Sequence, residues 1–157
     1  MIKQVRSFFC AFRGLWLALK QPHMRFHLVA CGYVLYFSRF YNFSKAEYSA
    51  LFLVTAMVMS SECINTALEQ LSDRVTTKRE ESIRNVKDIA AGAVLICAIA
   101  AIALAVLLFW QPDVLSRIIT YHLADPMRWI LLLASALVSI LFVWGQAFSK
   151  RKDNNND

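Results

Sequence analysis

Apolar positions fall in blocks along this 157-residue chain, separated by short polar stretches. In the first 27 residues, Val5, Phe8, Phe9, Phe12, Trp16 and Leu19 recur at helical spacing. Arg6, Arg13 and Lys20 repeat every seven residues on another face. This is the pattern of a basic amphipathic helix lying in a membrane interface, and Pro22 is expected to end it. Four apolar stretches follow, at roughly 28–43, 48–71, 89–110 and 129–148. The first is short against the about 20 residues that a span needs, and Arg39 interrupts it. Tyr33, Tyr36, Phe40, Tyr41 and Phe43 crowd its far end as an aromatic belt.

The pattern predicts an all-α membrane protein. An N-terminal surface helix and three core transmembrane helices occupy residues 1–110. Residues 111–128 form a polar external connection, 129–148 an additional span, and 149–157 a polar, disordered cytoplasmic tail. The connection 72–87 between the second and third core spans reads as a polar loop.

Composition agrees. Hydrophobic residues make up 58% of the chain and charged residues 18%, and mean hydropathy is +0.46. A soluble domain of this size cannot hide that much apolar surface in one core. A disordered chain is polar and poor in aromatics, which excludes that class. Cys10, Cys31, Cys63 and Cys97 form no C-x-x-C pair and read as small hydrophobes. The basic start is not followed by an uninterrupted apolar core and a small-residue cleavage site, so no removed signal peptide is expected.

The net charge of +6 first suggests a polyanion partner. Its distribution suggests orientation instead. With the N-terminus in the cytoplasm, thirteen of the seventeen Lys and Arg residues fall on cytoplasmic segments and four on outer ones. Every loop agrees with the positive-inside rule, so four spans with both termini in the cytoplasm are expected. Contact with anionic headgroups accounts for the basic excess, and nucleic acid is not needed.

Against this apolar background, Glu62, Asn65, Glu69 and Asp73 stand at i, i+3, i+7 and i+11. On a helix they share one stripe, rising about 16 Å from inside the span to its edge. Carboxylates at membrane depth are costly and normally face a bundle interior or a polar cavity. The next helix enters with Asn85, Lys87 and Asp88 and then a run of small residues, Ala90-Ala91-Gly92-Ala93. Small residues allow close helix packing. Such packing is expected to bring Lys87 and Asp88 against Glu69 and Asp73. Carboxylates hold Mg²⁺, a lysine takes phosphate charge, and a buried carboxylate such as Glu62 can deprotonate a hydroxyl. These are the parts of a phosphoryl-transfer site. Gluing helices together is the plainer use of the same residues.

The run Glu62-Cys63-Ile64-Asn65-Thr66-Ala67-Leu68-Glu69, then Asp73, then Asn85-Val86-Lys87-Asp88 before the small-residue run, resembles the signature of the prokaryotic diacylglycerol kinase / undecaprenol kinase family. Arg13-Gly14-Leu15 and Met24-Arg25-Phe26-His27 resemble its surface helix and first-span entrance. The resemblance covers roughly residues 3–110. It implies a trimeric integral-membrane lipid kinase, with ATP as co-substrate and Mg²⁺ as cofactor. Carried over, Glu62 is the general base toward the lipid hydroxyl and Asn65 its polar partner. Glu69 is a Mg²⁺ ligand. Lys87 and Asp88, with Glu69 and Lys3, contact the nucleotide and its metal, and Asp73 and Asn85 support them.

The chain departs from the family in three places. Where some members carry a second metal-binding Glu, the nearest residue here is His27, as in the undecaprenol kinase-like branch. Lys78-Arg79-Glu80 replaces the usual Glu-Tyr-His of the nucleotide-side loop. The span near 129–148 has no family counterpart. Glycine-rich phosphate loops are absent, so nucleotide binding rests on side chains and metal. Two other functions use the same stripe: a small proton-coupled transporter, with Glu62 and Glu69 relaying protons, or a non-catalytic membrane assembly protein. Lys87 and Asp88 are superfluous to a proton wire.

Overall fold

The computed structural model describes residues 2–75 and 80–153, with side chains for residues 4–75 and 80–145. Six helices follow one another: α1 (Ile2–Ala18), α2 (Pro22–Ser38), α3 (Lys45–Val75), α4 (Glu81–Phe109), α5 (Pro112–Leu123) and α6 (Pro126–Asp153). No strand occurs among the described residues.

Three of these helices, α3, α4 and α6, are long and apolar enough to cross a membrane. The 17 residues of α2 rise about 25 Å, less than a hydrocarbon core of about 30 Å. This is the shortfall its sequence shows.

The break between α1 and α2 falls earlier than expected. The first helix stops at Ala18, and Pro22 opens the next one at its first turn. There its missing N–H costs nothing and its fixed φ suits a helix start. Phe8, Phe9, Phe12 and Trp16 of α1 remain exposed along its length, which is the face an interfacial helix offers to lipid.

The 72–87 connection is corrected in the same way. Helix α3 continues to Val75 and α4 starts at Glu81, so most of the expected loop is helical and lies past the apolar stretch. The 111–128 connection contains α5, which starts at Pro112 and closes on α2. The expected disordered tail is helical as far as Asp153.

Helices α3 and α4 pack as an antiparallel hairpin, with α2 against both α3 and α6. Ser44 starts α3 with a reciprocal cap. Its N–H donates to Glu47 Oε2 at 2.6 Å, and the Glu47 N–H donates to Ser44 Oγ at 3.3 Å. At the same end, Tyr41 donates its hydroxyl to the Phe109 carbonyl at 2.9 Å. Phe43 packs edge-on against both Phe109 and Tyr48. These aromatics pin the α2–α3 turn to the end of α4.

Two ties hold the C-terminal helices to the rest. Buried His122 of α5 donates Nδ1–H to the Ile118 carbonyl at 2.8 Å. That fixes the tautomer, so its Nε2 accepts from Tyr36 Oη of α2 at 3.1 Å. Buried Arg25 of α2 donates to the carbonyls of Leu19 (2.7 Å) and Lys20 (3.4 Å), which end the α1 turn, and to Phe142 of α6 (3.0 Å). Its guanidinium also lies 5.4 Å from the Phe142 ring centre.

Candidate functional site

The polar stripe of α3 runs from the bundle interior to its edge. Glu62 is 4% exposed and Asn65 6% exposed, and Thr66 and Ser72 are buried with them. Glu69 and Asp73 lie farther along and are exposed. The helix continues unbroken through this region. The stripe therefore connects a desolvated carboxylate to solvent-facing ones over about three turns.

Glu62 is close enough to His27 of α2 for their charges to interact. One turn on, Asn65 Nδ2 donates to Glu69 Oε1 at 2.9 Å. A carboxylate only accepts, so the amide must present its NH₂ there and turn Oδ1 the other way. That Oδ1 is buried and has no hydrogen-bond partner among the described residues. An orphaned buried acceptor is rare and calls for a cation or donor that is not part of the chain.

At the mouth of the stripe, Lys87 of α4 pairs with Asp73 of α3. This joins the hairpin across its open end. Of the small residues after Lys87, Ala90 is buried in the packing that permits this, whereas Gly92 faces open space. Asp88 does not join them. It pairs with Arg84 on its own helix at 3.5 Å, with both side chains largely exposed. The expected meeting of Lys87 with Asp73 is therefore present, and Asp88 turns outward. Asn85 is exposed on the first turns of α4. The side chain of Lys3, and residues 78–79 of the variant loop, lie outside the described residues.

Among the described residues, no three His, Cys, Asp or Glu side chains gather into a group that could hold a metal by themselves. His27 and Glu69, expected as metal ligands, belong to no such group. The exposed Glu69 carboxylate and the orphaned Asn65 Oδ1 are oxygen donors. They suit a hard cation that takes its remaining ligands from a substrate or water.

A groove of about 510 Å³ runs between α1 and α3 beside the stripe. Gly14, Leu15 and Ala18 line it from α1, and Cys63, Thr66 and Ala67 from α3. Its α3 wall is formed by the residues next in sequence to Glu62, Asn65 and Glu69, and a largely apolar groove on the face beside a polar stripe is a place for a molecule with a long apolar part and a polar end.

The prokaryotic diacylglycerol kinase family matches residues 9–109. That is about two thirds of the chain and includes the whole stripe and Lys87. The chain belongs to the prokaryotic diacylglycerol kinase family. It is also similar to the undecaprenol kinase of Bacillus subtilis (strain 168), with 33% identity over 105 residues, or 66% of this chain and 85% of that protein. No solved structure matches it. Members of this family are lipid kinases, so the chain is read as a lipid kinase at a membrane, and the transporter and assembly readings give way. The match ends at the last residue of α4. Helices α5 and α6 lie outside it.

Two buried residues do more than their place in the sequence suggests. Thr66 sits inside the motif yet is buried beside Glu62 and Asn65 and lines the groove. Arg25 appeared only as part of a resemblance, although a buried arginine beside a helix break is itself a signal of carbonyls to be satisfied.

Proposed function

We propose that this protein transfers the γ-phosphoryl group of ATP to the primary hydroxyl of diacylglycerol or undecaprenol. The observation that carries the proposal is the graded stripe on α3, with Glu62 buried at one end and Asp73 paired to Lys87 at the other. The lipid hydroxyl approaches along the groove between α1 and α3. Glu62 accepts its proton as the oxygen bonds to the γ-phosphorus. The bond from that phosphorus to the β–γ bridging oxygen breaks, and ADP leaves with the electron pair.

Lys87 takes phosphate charge at the open end, exchanging Asp73 for the nucleotide, with Asp88, Asn85 and Lys3 around it. Glu69, oriented by Asn65, is the protein's ligand for Mg²⁺. When bound, that ion neutralises phosphate charge. His27 interacts with Glu62 and adjusts the charge beside the base. Both termini face the cytoplasm of the inner membrane, as the distribution of basic residues favours. The enzyme works as a homotrimer, which covers part of the apolar surface that a single chain leaves exposed on α4.

The relative named undecaprenol kinase makes undecaprenol the first acceptor to offer. The test presents diacylglycerol, undecaprenol and other lipid alcohols side by side to the purified protein with labelled ATP. Label in one of these lipids is expected. Label in none of them, under conditions where the protein is folded, overturns the proposal.

A further inference from the structure

A second groove, of about 570 Å³, lies between α2 and α6, far from the stripe. Its polar end is framed by Arg39, at the C-terminus of α2, and Arg128, in the first turn of α6. The start of α3 borders that end, because Tyr48 donates its hydroxyl to the Ser38 carbonyl. Lys45 and Asp73 are 28 residues apart on the same helix, about 42 Å. The two grooves therefore belong to opposite ends of the bundle.

Aromatic rings hold both arginines, and only Arg128 has an acidic neighbour among the described residues. Arg128 lies 3.9 Å from the Tyr121 ring centre, donates to the Tyr121 carbonyl at 2.8 Å, and has a weak pair with Asp125 at 3.6 Å. Arg39 stacks on Tyr36 and Phe40 at 4.7 and 5.5 Å and has no ion pair among the described residues. No acidic residue lines the groove. Beneath them lies a hydroxyl chain. Ser135 donates to the Leu132 carbonyl at 2.7 Å and accepts from Tyr33 at 3.1 Å, with Ser139 at 3.4 Å beyond. The remaining wall is apolar, formed by Val29, Gly32 and Leu131.

We infer that this groove binds an anionic phospholipid of the leaflet opposite the mouth of the stripe. The phosphate lies between Arg39 and Arg128, the glycerol hydroxyls on Tyr33 and Ser135, and an acyl chain along Val29, Gly32 and Leu131. Charge complementarity selects the occupant, since two guanidinium groups held by aromatic rings face a cavity lined by no acidic residue, and the long Arg128–Asp125 pair at 3.6 Å is the one ion pair either makes among the described residues. One wall comes from α6, so the additional span makes a lipid site that residues 9–109 cannot form alone.

The test titrates the full-length protein in detergent with phosphatidylglycerol and follows retention by native mass spectrometry. Phosphatidylcholine and soluble glycerol phosphate serve as controls. Phosphatidylglycerol is expected to bind more tightly than either. Replacing both arginines, Arg39→Gln with Arg128→Gln, should weaken it about 30-fold, from about fivefold per basic residue. Gly32→Leu leaves the charge intact and projects into open space, since no atom lies within 4 Å of a Cβ there. It should also expel the lipid without unfolding the helix, which keeps the test decisive if the double variant misfolds. Unchanged phosphatidylglycerol binding in Gly32→Leu, equal binding of phosphatidylcholine, or equal binding of glycerol phosphate overturns the inference. So does a dimer that Gly32→Leu abolishes in a protein retaining no lipid.

Discussion

Asn65 gives its amide to Glu69 one helical turn away at 2.9 Å, while its own carbonyl oxygen is buried without a partner. This relationship fixes which way the Glu69 carboxylate faces and leaves an acceptor beside it. Replacing Asn65 with Ala should release Glu69 and remove that acceptor. Residues that orient a metal ligand typically matter 10–100-fold. We expect Asn65→Ala to lower activity by about that factor and to raise the Mg²⁺ concentration needed for half-maximal rate. A rate loss with an unchanged Mg²⁺ requirement would assign Asn65 to packing alone.

Lys87 and Asp73 bridge the open end of the hairpin, with side chains 34% and 68% exposed. An exposed pair contributes little to stability, typically about 0–1 kcal/mol. Lys87→Ala should therefore leave Tm within a few degrees while raising the KM for ATP at least about tenfold. Asp73→Asn should instead free the lysine and leave the KM for ATP nearly unchanged. A large fall in Tm for Lys87→Ala, with KM unaltered, would make the pair structural.

Arg25 is the opposite case. It is buried and donates to two carbonyls in the α1–α2 turn and to one on α6. Hydrogen bonds to a charged group contribute about 1.5–3 kcal/mol, and stranded buried carbonyls add to the loss. Arg25→Met should destabilise the fold by about 3 kcal/mol, seen as a lower Tm in detergent. It should also make the α1–α2 turn more sensitive to protease. Wild-type Tm and cleavage would show that the carbonyls find other donors.

Much of this arrangement was legible in the chain because the membrane makes polar exceptions conspicuous. Glu62, Asn65, Glu69 and Asp73 stand out at helical spacing in an apolar stretch, and the helix indeed carries them from burial to exposure. Hydropathy reads where lipid ends, however, and not where a helix ends. The charged ends of α3 and α4 therefore looked like loop, although their backbones remain helical. Pro22 was ambiguous for a related reason, since the same residue stops one helix and starts the next. The ties from Arg25 to Phe142 and from Tyr36 to His122 join residues 117 and 86 positions apart. No local pattern announces such pairs. Asp88 turned outward because Arg84 lies one turn before it on the same helix face.

The central claim is that Glu62 is the base for phosphoryl transfer to a lipid hydroxyl. Glu62→Gln preserves the shape and buried position of the side chain but removes its basicity. The most direct measurement compares label transfer from ATP to undecaprenol and diacylglycerol by the wild-type protein and by Glu62→Gln in detergent–lipid micelles. Helical circular dichroism and Tm are recorded on the same samples. The account predicts labelled lipid from the wild-type protein and a loss of at least about 100-fold in the variant, the lower range for losing a general base, with fold and Tm retained. Full transfer by a folded Glu62→Gln protein would contradict it.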